Sequence, residues 1–361
     1  MLNKVFKLRS SVAIVQNKNN VEFFKTGTRE SLTIRINNSN VFAILSQFDG
    51  QTALGEVVSH NSDVDAQELI DFVVFLNRQQ LLIEVDKPYK NELVSSKYRI
   101  IGFLEDYYAR TSEVISALAN IEESKVAIFG LGAVGTWVCK NLALSGVKKF
   151  LIIDPDLVEI SNLHRQDFYG HSDIGKKKAD VVEAGLKEID SAISVEAIDD
   201  FLDEDFFSRN LTIFDLAINC ADSPNVDITS KLIGKECMAR GVPHIIGGGY
   251  NLHLSLVGQS VIPGVSSCVR CYEISCADKE GDYKGVRKLY RPNRKIGSFA
   301  PLSLLSASIT SEEAIKVILK LYESMITLNA RLEFDLRTKD YRREAIIKSD
   351  DCEWCNSLMT G

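Results

Sequence analysis

Gly130-x-Gly132-x-x-Gly135 follows the apolar run Val126–Phe129 and opens a segment of helical character. In that setting the glycines permit a tight turn, close approach of backbone to phosphate, and close packing of helix on strand, while free N–H groups at the helix N-terminus face an anion. Asp154 closes the next apolar run, Phe150–Ile153, where a carboxylate accepts hydrogen bonds from ribose hydroxyls. These four residues suit a dinucleotide-dependent dehydrogenase and an ATP-using enzyme equally. Asn162, Arg165 and Gln166 just beyond, and Lys178 at the head of the following helical pattern, separate the two. A nicotinamide cofactor does not need these cations and amides. A triphosphate does, because Arg and Lys neutralise its outer phosphates and steady a departing pyrophosphate. Lys176 and Lys177 are neighbours able to substitute for Lys178, and each cation taken singly is an ordinary solvated surface charge. Asp222 ends the apolar run Ile213–Cys220; it suits Mg²⁺ at the carboxyl end of a strand, or else caps a helix ahead of Ser223-Pro224. The chemistry these residues favour is adenylation.

Eight cysteines are present, four of them in the pairs Cys268-x-x-Cys271 and Cys352-x-x-Cys355. Two such pairs supply four thiolates, enough for a closed tetrahedral Zn²⁺ site that staples the C-terminal tail to the sheet; a disulfide pair and a redox centre are the competing readings. Cys276 reads as a loop residue or a neighbour of the zinc site. Cys139, Cys220 and Cys237 lie in apolar segments and read as core. His164 reads as a surface position and His244 as a strand residue.

The elements that must position these groups come from periodicity. Strands are expected at Val126–Phe129, Phe150–Ile153, Ile193–Ile198, Ile213–Cys220 and His244–Ile246. Helices are expected near Val134–Ser145, Lys176–Ile189 and Asp227–Arg240. Alternation of strand and helix implies a parallel sheet with right-handed crossovers. After Gly247-Gly248-Gly249 the pattern becomes antiparallel, with strands at Leu252–Ile262, Leu332–Leu336 and Tyr341–Ile347 around one long helix, Ser303–Tyr322, and a structureless loop from Ser275 to Phe299. Residues 1 to 88 read as a separate unit: β-like segments between Val5 and Ile34, condensed to two or three strands, then three helices, a winged-helix-like arrangement. Residues 89–123 read as a linker with one helix. The fold class expected is thus α/β: a Rossmann-like, mostly parallel sheet extended by antiparallel strands, with an N-terminal α+β domain and a C-terminal four-cysteine zinc site.

Composition sets outer bounds. With 361 residues, 45% hydrophobic and 25% charged, the chain is long enough for two domains. Its net charge of −7 gives no general attraction to nucleic acid or anionic membrane, and neither is expected as partner. No signal peptide and no apolar run of membrane-spanning length is found, so a cytoplasmic location is expected.

IFGLGAVG, IIDPDLVEISNLHRQ, DIGKKKAD, NCADSPN and the two cysteine pairs resemble the E1-like ATP-dependent activating enzymes, the ThiF, MoeB and HesA group, over about residues 105–361. The resemblance implies ATP, Mg²⁺ and Zn²⁺ as cofactors, an acyl-adenylate as product and a homodimer. It places Gly132 and Asp154 on the nucleotide, Asn162, Arg165 and Lys178 on the triphosphate, and Asp222 on magnesium, with Gly130, Gly135, Asp156 and Gln166 completing the binding set and Arg165, Lys178 and Asp222 as the catalytic residues. It also implies an arginine from the N-terminal helix, for which Arg99 and Arg110 are candidates. SLTIRINNSNVFAILSQFDGQTALGEVV and DAQELIDFVVFLNRQQLLIEV look like PqqD-type domains, which bind leader peptides by adding a strand to a sheet edge. An adenylating domain behind such a domain is similar to the enzymes that modify ribosomally made antibiotic precursors, as in microcin C and pantocin biosynthesis. The expected activity is adenylation of a carboxylate on a precursor peptide. Basic residues Arg287, Lys288, Arg291, Arg294 and Lys295 are expected to steer an acidic core. Activation of the C-terminal glycine of a sulfur-carrier protein, and an inactive peptide-binding scaffold, are the alternatives.

Overall fold

The computed structural model describes residues 1–36, 40–280 and 297–357, the side chains of 277–280 excepted. The chain divides into two compact units, Met1–Ala119 and Asn120–Gly361.

In the first unit β1 (Val5–Leu8), β5 (Asp49–Ala53) and β6 (Leu82–Glu84) form one sheet in the order β5-β1-β6, and β2 (Val12–Asn17), β3 (Asn20–Lys25) and β4 (Glu30–Arg35) form a separate antiparallel meander. Alternation in β3 sends Val21 and Phe23 into the core, where α1 (Val41–Ser46), α2 (Leu54–His60) and α3 (Ala66–Arg78) contribute Leu45, Leu54, Leu69 and Leu76. Asp65 caps α3 by accepting from the N–H groups of Gln67 and Glu68 at 2.9 and 3.0 Å. The unit therefore has six strands where two or three were expected. The polar stretch Asp49–Ala53 has no alternation of its own and is a strand only because it pairs with β1. The segment 89–123 likewise holds two helices, α4 (Asn91–Glu105) and α5 (Thr111–Glu123), not one.

The second unit is built on a six-stranded sheet of order β14-β11-β10-β7-β8-β9. Its parallel strands are β7 (Lys125–Phe129), β8 (Lys149–Ile153), β9 (Ser194–Ile198), β10 (Leu216–Asn219) and β11 (His244–Ile245); β14 (Ser260–Val261) runs antiparallel on the edge. The apolar runs of β7, β8 and β10 are buried almost throughout, as strands covered on both faces must be. A second, antiparallel sheet has the order β12-β13-β15-β16, from β12 (Gly249–Asn251), β13 (Leu254–Val257), β15 (Ala330–Asp335) and β16 (Tyr341–Ala345). The helix α11 (Ala300–Ile318) joins the sheets: it packs on α6 (Gly135–Leu144), on β12 and on β13, where the Ser255 and Ser306 hydroxyls donate to Leu302 O and Leu256 O at 2.9 and 2.6 Å.

The single strand expected at Leu252–Ile262 is split between the two sheets. The break falls at Gly258, whose backbone lies so close to Ile246 that a Cβ there would stand 1.4 Å from the carbonyl oxygen; only glycine lets the chain pass. The loop expected from Ser275 is helical to Glu280, within α10 (Val269–Glu280). Arg287, Lys288, Arg291, Arg294 and Lys295 lie outside the described residues. No helix among the described residues is long and apolar enough to cross a membrane.

His244 on β11 is 1% exposed; its Nδ1 lies 3.1 Å from Val242 O, and its Nε2 has no hydrogen-bond partner among the described residues. Burial pushes its pKa down to about 4. Because the folded value lies below the unfolded one, this group's contribution to stability is complete above pH ~6.5 and is lost as pH falls towards 4, amounting to roughly 3 kcal/mol. His244→Leu is expected to flatten that part of a plot of Tm against pH, measured by calorimetry.

Candidate nucleotide site and cysteine cluster

β8 and β10 flank β7 and lead the chain in opposite directions, so the sheet's switch point lies at the carboxyl ends of β7 and β10. Ligands of open α/β sheets bind in that crevice. Gly130 ends β7 there with φ +91°, and a Cβ on it would stand 2.7 Å from Ala221 N and Cα. A Cβ on Gly135 would be 1.9 Å from Gly130 O. Gly132 differs: among the described residues a Cβ would meet no atom within 4 Å, so the space in front of it is open. The N-terminus of α6 behind the loop has no side-chain cap. This cradle fits a phosphate.

Asp154 is 5% exposed at the end of β8. One carboxylate oxygen accepts from Leu131 N–H at 2.5 Å and the other from Asp156 N–H at 2.8 Å. Lys178, 6% exposed, opens α7 (Lys178–Ile189) and sets its ammonium 2.7 Å from Asp156 and 3.9 Å from Asp154. Burial raises the Asp154 pKa; the Lys178 charge and the two N–H donors pull it back without cancelling the rise. The folded value thus lies above the unfolded one, so stability from this group is complete below the ordinary Asp pKa and lost as pH rises through the raised value. For the ribose contact expected of Asp154 from the sequence, ligand binding would have the opposite sign, because only the ionised carboxylate is a full acceptor for ribose hydroxyls. ATP affinity is expected to fall as pH drops through the Asp154 pKa, and Asp154→Asn to bind ATP weakly with no such fall, read as calorimetric Kd between pH 4 and 7.

Lys176 and Lys177 point elsewhere, to Asp173 at 2.9 Å and Asp199 at 2.6 Å on the surface. Of the three lysines, Lys178 alone is buried beside Asp154. Asn162 is buried, its carbonyl oxygen accepting from Glu159 N–H at 2.9 Å. Arg165 is half-buried and donates to Ser161 O at 2.6 Å, beside the exposed His164. Gln166 is 8% exposed, and its buried side-chain oxygen has no partner among the described residues. Asp222 is exposed next to Ala221, the residue against which Gly130 packs. It does not cap the following helix α9 (Val226–Arg240), because Asn225 does so by accepting from Ile228 N–H at 2.9 Å. One free carboxylate suits Mg²⁺, which takes few protein ligands and completes its shell with phosphate and water.

Two residues that support this region are not singled out by the sequence. Tyr169, kept protonated by burial, donates from its hydroxyl to Leu131 O at 2.9 Å. Asn219 ties down the Asp222 loop, accepting from Ala221 N–H while its amide reaches Thr229 and Ser230, each of these bonds 3.0 Å. Tyr169 lies outside every motif quoted above, and Asn219, though it opens NCADSPN, shows its role only once its partners are in place.

Cys268, Cys271, Cys352 and Cys355 are all buried and carry free thiols. Their sulfurs stand 3.8 Å apart for Cys268–Cys271, 3.5 Å for Cys268–Cys352, and 3.6 Å for both Cys271–Cys355 and Cys268–Cys355. A tetrahedron with metal–sulfur bonds of ~2.3 Å has edges of about 3.8 Å, so the donor set fits Zn²⁺. Ser349 N–H points at Cys271 Sγ at 3.5 Å, a backbone donor of the kind that supports a metal thiolate. Cys276 lies on α10, hydrogen-bonded to Tyr272. Cys139 and Cys237 are core residues, while Cys220 is half-buried just after β10.

The switch-point crevice, the glycine turn and the buried Asp154–Lys178 pair come together at the carboxyl ends of the parallel strands of an α/β sheet, where such folds bind their ligands. The ThiF family model matches residues 110–355, and the chain belongs to the ThiF family; it is an ATP-dependent adenylating enzyme. It is 31% identical over 210 residues to the molybdopterin-synthase adenylyltransferase of Haemophilus influenzae, covering 57% of this chain and 79% of that protein. It is 24% identical over 258 residues to the sulfur carrier protein adenylyltransferase of Thermus thermophilus, covering 67% of this chain and 85% of that one. Among solved structures it is similar in fold to MccB of E. coli with AMPCPP and MccA: TM-score 0.76, 22% identity, 97% of this chain and 99% of that chain.

Proposed function

We propose that the chain adenylates a carboxylate, a glutamate side chain or a C-terminal residue, on a ribosomally made precursor peptide. The supporting observation is extent. The fold likeness to MccB, a microcin C7 biosynthetic enzyme, takes in 97% of the chain and therefore most of the N-terminal unit, whereas the molybdopterin-synthase relative reaches only 57% of it. In this reading residues 1–88 are a PqqD-like domain that binds the leader, 89–123 connect, and 124–361 adenylate. Among the described residues the meander ends in unpaired edges at β2 and β4, and a cavity of about 280 Å³ lined by Phe23, Lys25, Glu30, Ser31, Leu32 and Gln79 lies against β3 and β4. An added strand would gain main-chain hydrogen bonds at such an edge and a side-chain pocket beside it.

The chemistry follows from the crevice. A peptide carboxylate oxygen attacks the α-phosphorus of ATP, the bond to the bridging oxygen breaks, and pyrophosphate leaves with the electron pair. Gly132 lets the phosphates approach, Gly130 and Gly135 hold the loop against Ala221 and α6, and Asp154 takes the ribose. Asn162, Arg165, Gln166 and Lys178 lie along the triphosphate, with Asp156 holding the Lys178 ammonium in place. Asp222 would hold Mg²⁺, which when bound would supply neutralisation of the outer phosphates. The acyl-adenylate is then open to a neighbouring amide or carbon nucleophile, which releases AMP and completes a dehydrative bond. A homodimer is the expected assembly.

A second reading, activation of the C-terminal glycine of a sulfur-carrier protein, has the names of the adenylyltransferase relatives in its favour. ATP–pyrophosphate exchange distinguishes them. Exchange driven by a precursor peptide, and lost when residues 1–88 are deleted, fits the first reading; exchange driven only by a Gly-terminated carrier protein sinks it.

A further inference from the structure

The charge expected to act on the pyrophosphate, Arg165, is not oriented by a buried partner of its own: its guanidinium rests on Ser161 O and His164 at the surface. Its backbone is another matter. The indole N–H of Trp137 donates to Arg165 O at 3.3 Å. One residue earlier on α6, Thr136 is fully buried; its hydroxyl donates to Gly132 O at 2.9 Å and accepts from Asp167 N–H at 3.2 Å, so one side chain joins the phosphate cradle to the turn carrying Arg165. One helical turn on, Lys140 pairs with Asp167 at 2.8 Å and lies 5.7 Å from the ring centroids of both Trp137 and Phe168. Phe168 itself adopts φ +67°, and its ring fills the space above Gly185, where a Cβ would stand 2.3 Å from Cδ1. A non-glycine residue keeps that conformation only where its surroundings enforce it.

We propose that this face of α6 is a clasp setting the register of the Arg165 turn against the phosphate cradle, with Trp137 as the positioning residue for Arg165 during adenylation. The inference rests on the role given to Arg165 in the proposed function. The helix that presents its N-terminus to the phosphates also holds, through Thr136, Trp137 and Lys140, the segment that supplies the counter-charge, so a shift of one carries the other. A contact that aims a charge at the transition state, and not at bound ATP, shows itself in kcat and leaves KM for ATP nearly unchanged.

The test is a double-mutant cycle in ATP–pyrophosphate exchange on the full chain, with Trp137→Phe, Arg165→Ala and the pair, each checked by thermal unfolding. Trp137→Phe keeps an aromatic ring over Lys140 and removes the N–H. It is expected to lower kcat roughly tenfold with KM for ATP within about threefold, and to have no further effect in the Arg165→Ala background. Equal losses in both backgrounds, or a loss carried in KM or in Tm alone, would overturn the clasp while leaving the proposed function standing. Arg165→Ala with full activity would overturn the role of Arg165, and the clasp with it. Trp137→His, whose ring nitrogen is also a donor, is expected to recover part of kcat.

Discussion

Lys178→Ala is expected to lower the rate of ATP–pyrophosphate exchange by at least about 100-fold, whereas Lys176→Ala and Lys177→Ala, in the same run of three lysines, change it less than about twofold. The contrast follows from burial. Lys176 and Lys177 pair with Asp173 and Asp199 where water screens both partners, but the Lys178 side chain is 7% exposed and stands between Asp156 and the equally buried Asp154. Removing its charge has two consequences in one place. In the proposed function a triphosphate would lose a cation that water cannot replace, and Asp154 loses the strongest influence opposing the burial that already raises its pKa. More Asp154 is then protonated at any given pH, so ribose binding weakens as well, and the low-pH fall in ATP affinity moves to higher pH. Lys178→Met, which keeps much of the stem that packs at the start of α7, is expected to lose as much activity with less loss of stability, locating the effect in the charge. If Lys178→Ala and Lys177→Ala behaved alike, the assignment of Lys178 to the triphosphate would fall.

That contrast also marks where the sequence stops being informative. The strands that carry the site are legible because β7, β8 and β10 are short continuous apolar runs, which a sheet covered on both faces requires. The glycine spacing announces the cradle because backbone geometry leaves few alternatives. Which of three adjacent lysines turns inward is settled by the start of α7, where Lys178 N–H bonds Asp156 O at 3.0 Å, a tertiary contact that no local pattern encodes. Asp49–Ala53 is a strand only through its partner, and Gly258 marks a crossing between sheets that needs both sheets in place to be recognised. The Trp137–Arg165 contact is invisible for the same reason: a side chain meets a backbone carbonyl 28 residues away, and backbone carbonyls have no signature in the sequence.

The cysteine cluster yields the second large effect. One Zn²⁺ per chain is expected by atomic absorption, and Cys352→Ser is expected to lose it, with Tm lowered by roughly 10 °C or more. The four sulfurs come from two stretches far apart in sequence: the pair at the start of α10, and the pair flanking the start of α12 (Glu353–Ser357). The surroundings are modest for a joint of this span. Met238, Ile246, Val261, Val269 and Ile346 bury the cysteines in a small cluster of their own, and the Arg270–Glu353 ion pair at 2.9 Å that also joins the two stretches is exposed and weak. Without metal, four thiols at van der Waals separation are poor hydrogen-bonding partners for one another, so little holds α12 in place. A chelator should therefore act like the mutation, and readdition of Zn²⁺ should restore Tm for the wild type but not for Cys352→Ser. With sulfur at all four positions of the tetrahedron no site is left for substrate, so exchange activity per folded molecule at low temperature is expected to survive. Retention of full Tm in both the chelated protein and Cys352→Ser would show that the thiols pack as core without metal, and loss of exchange before any loss of folding would move zinc from structure to catalysis.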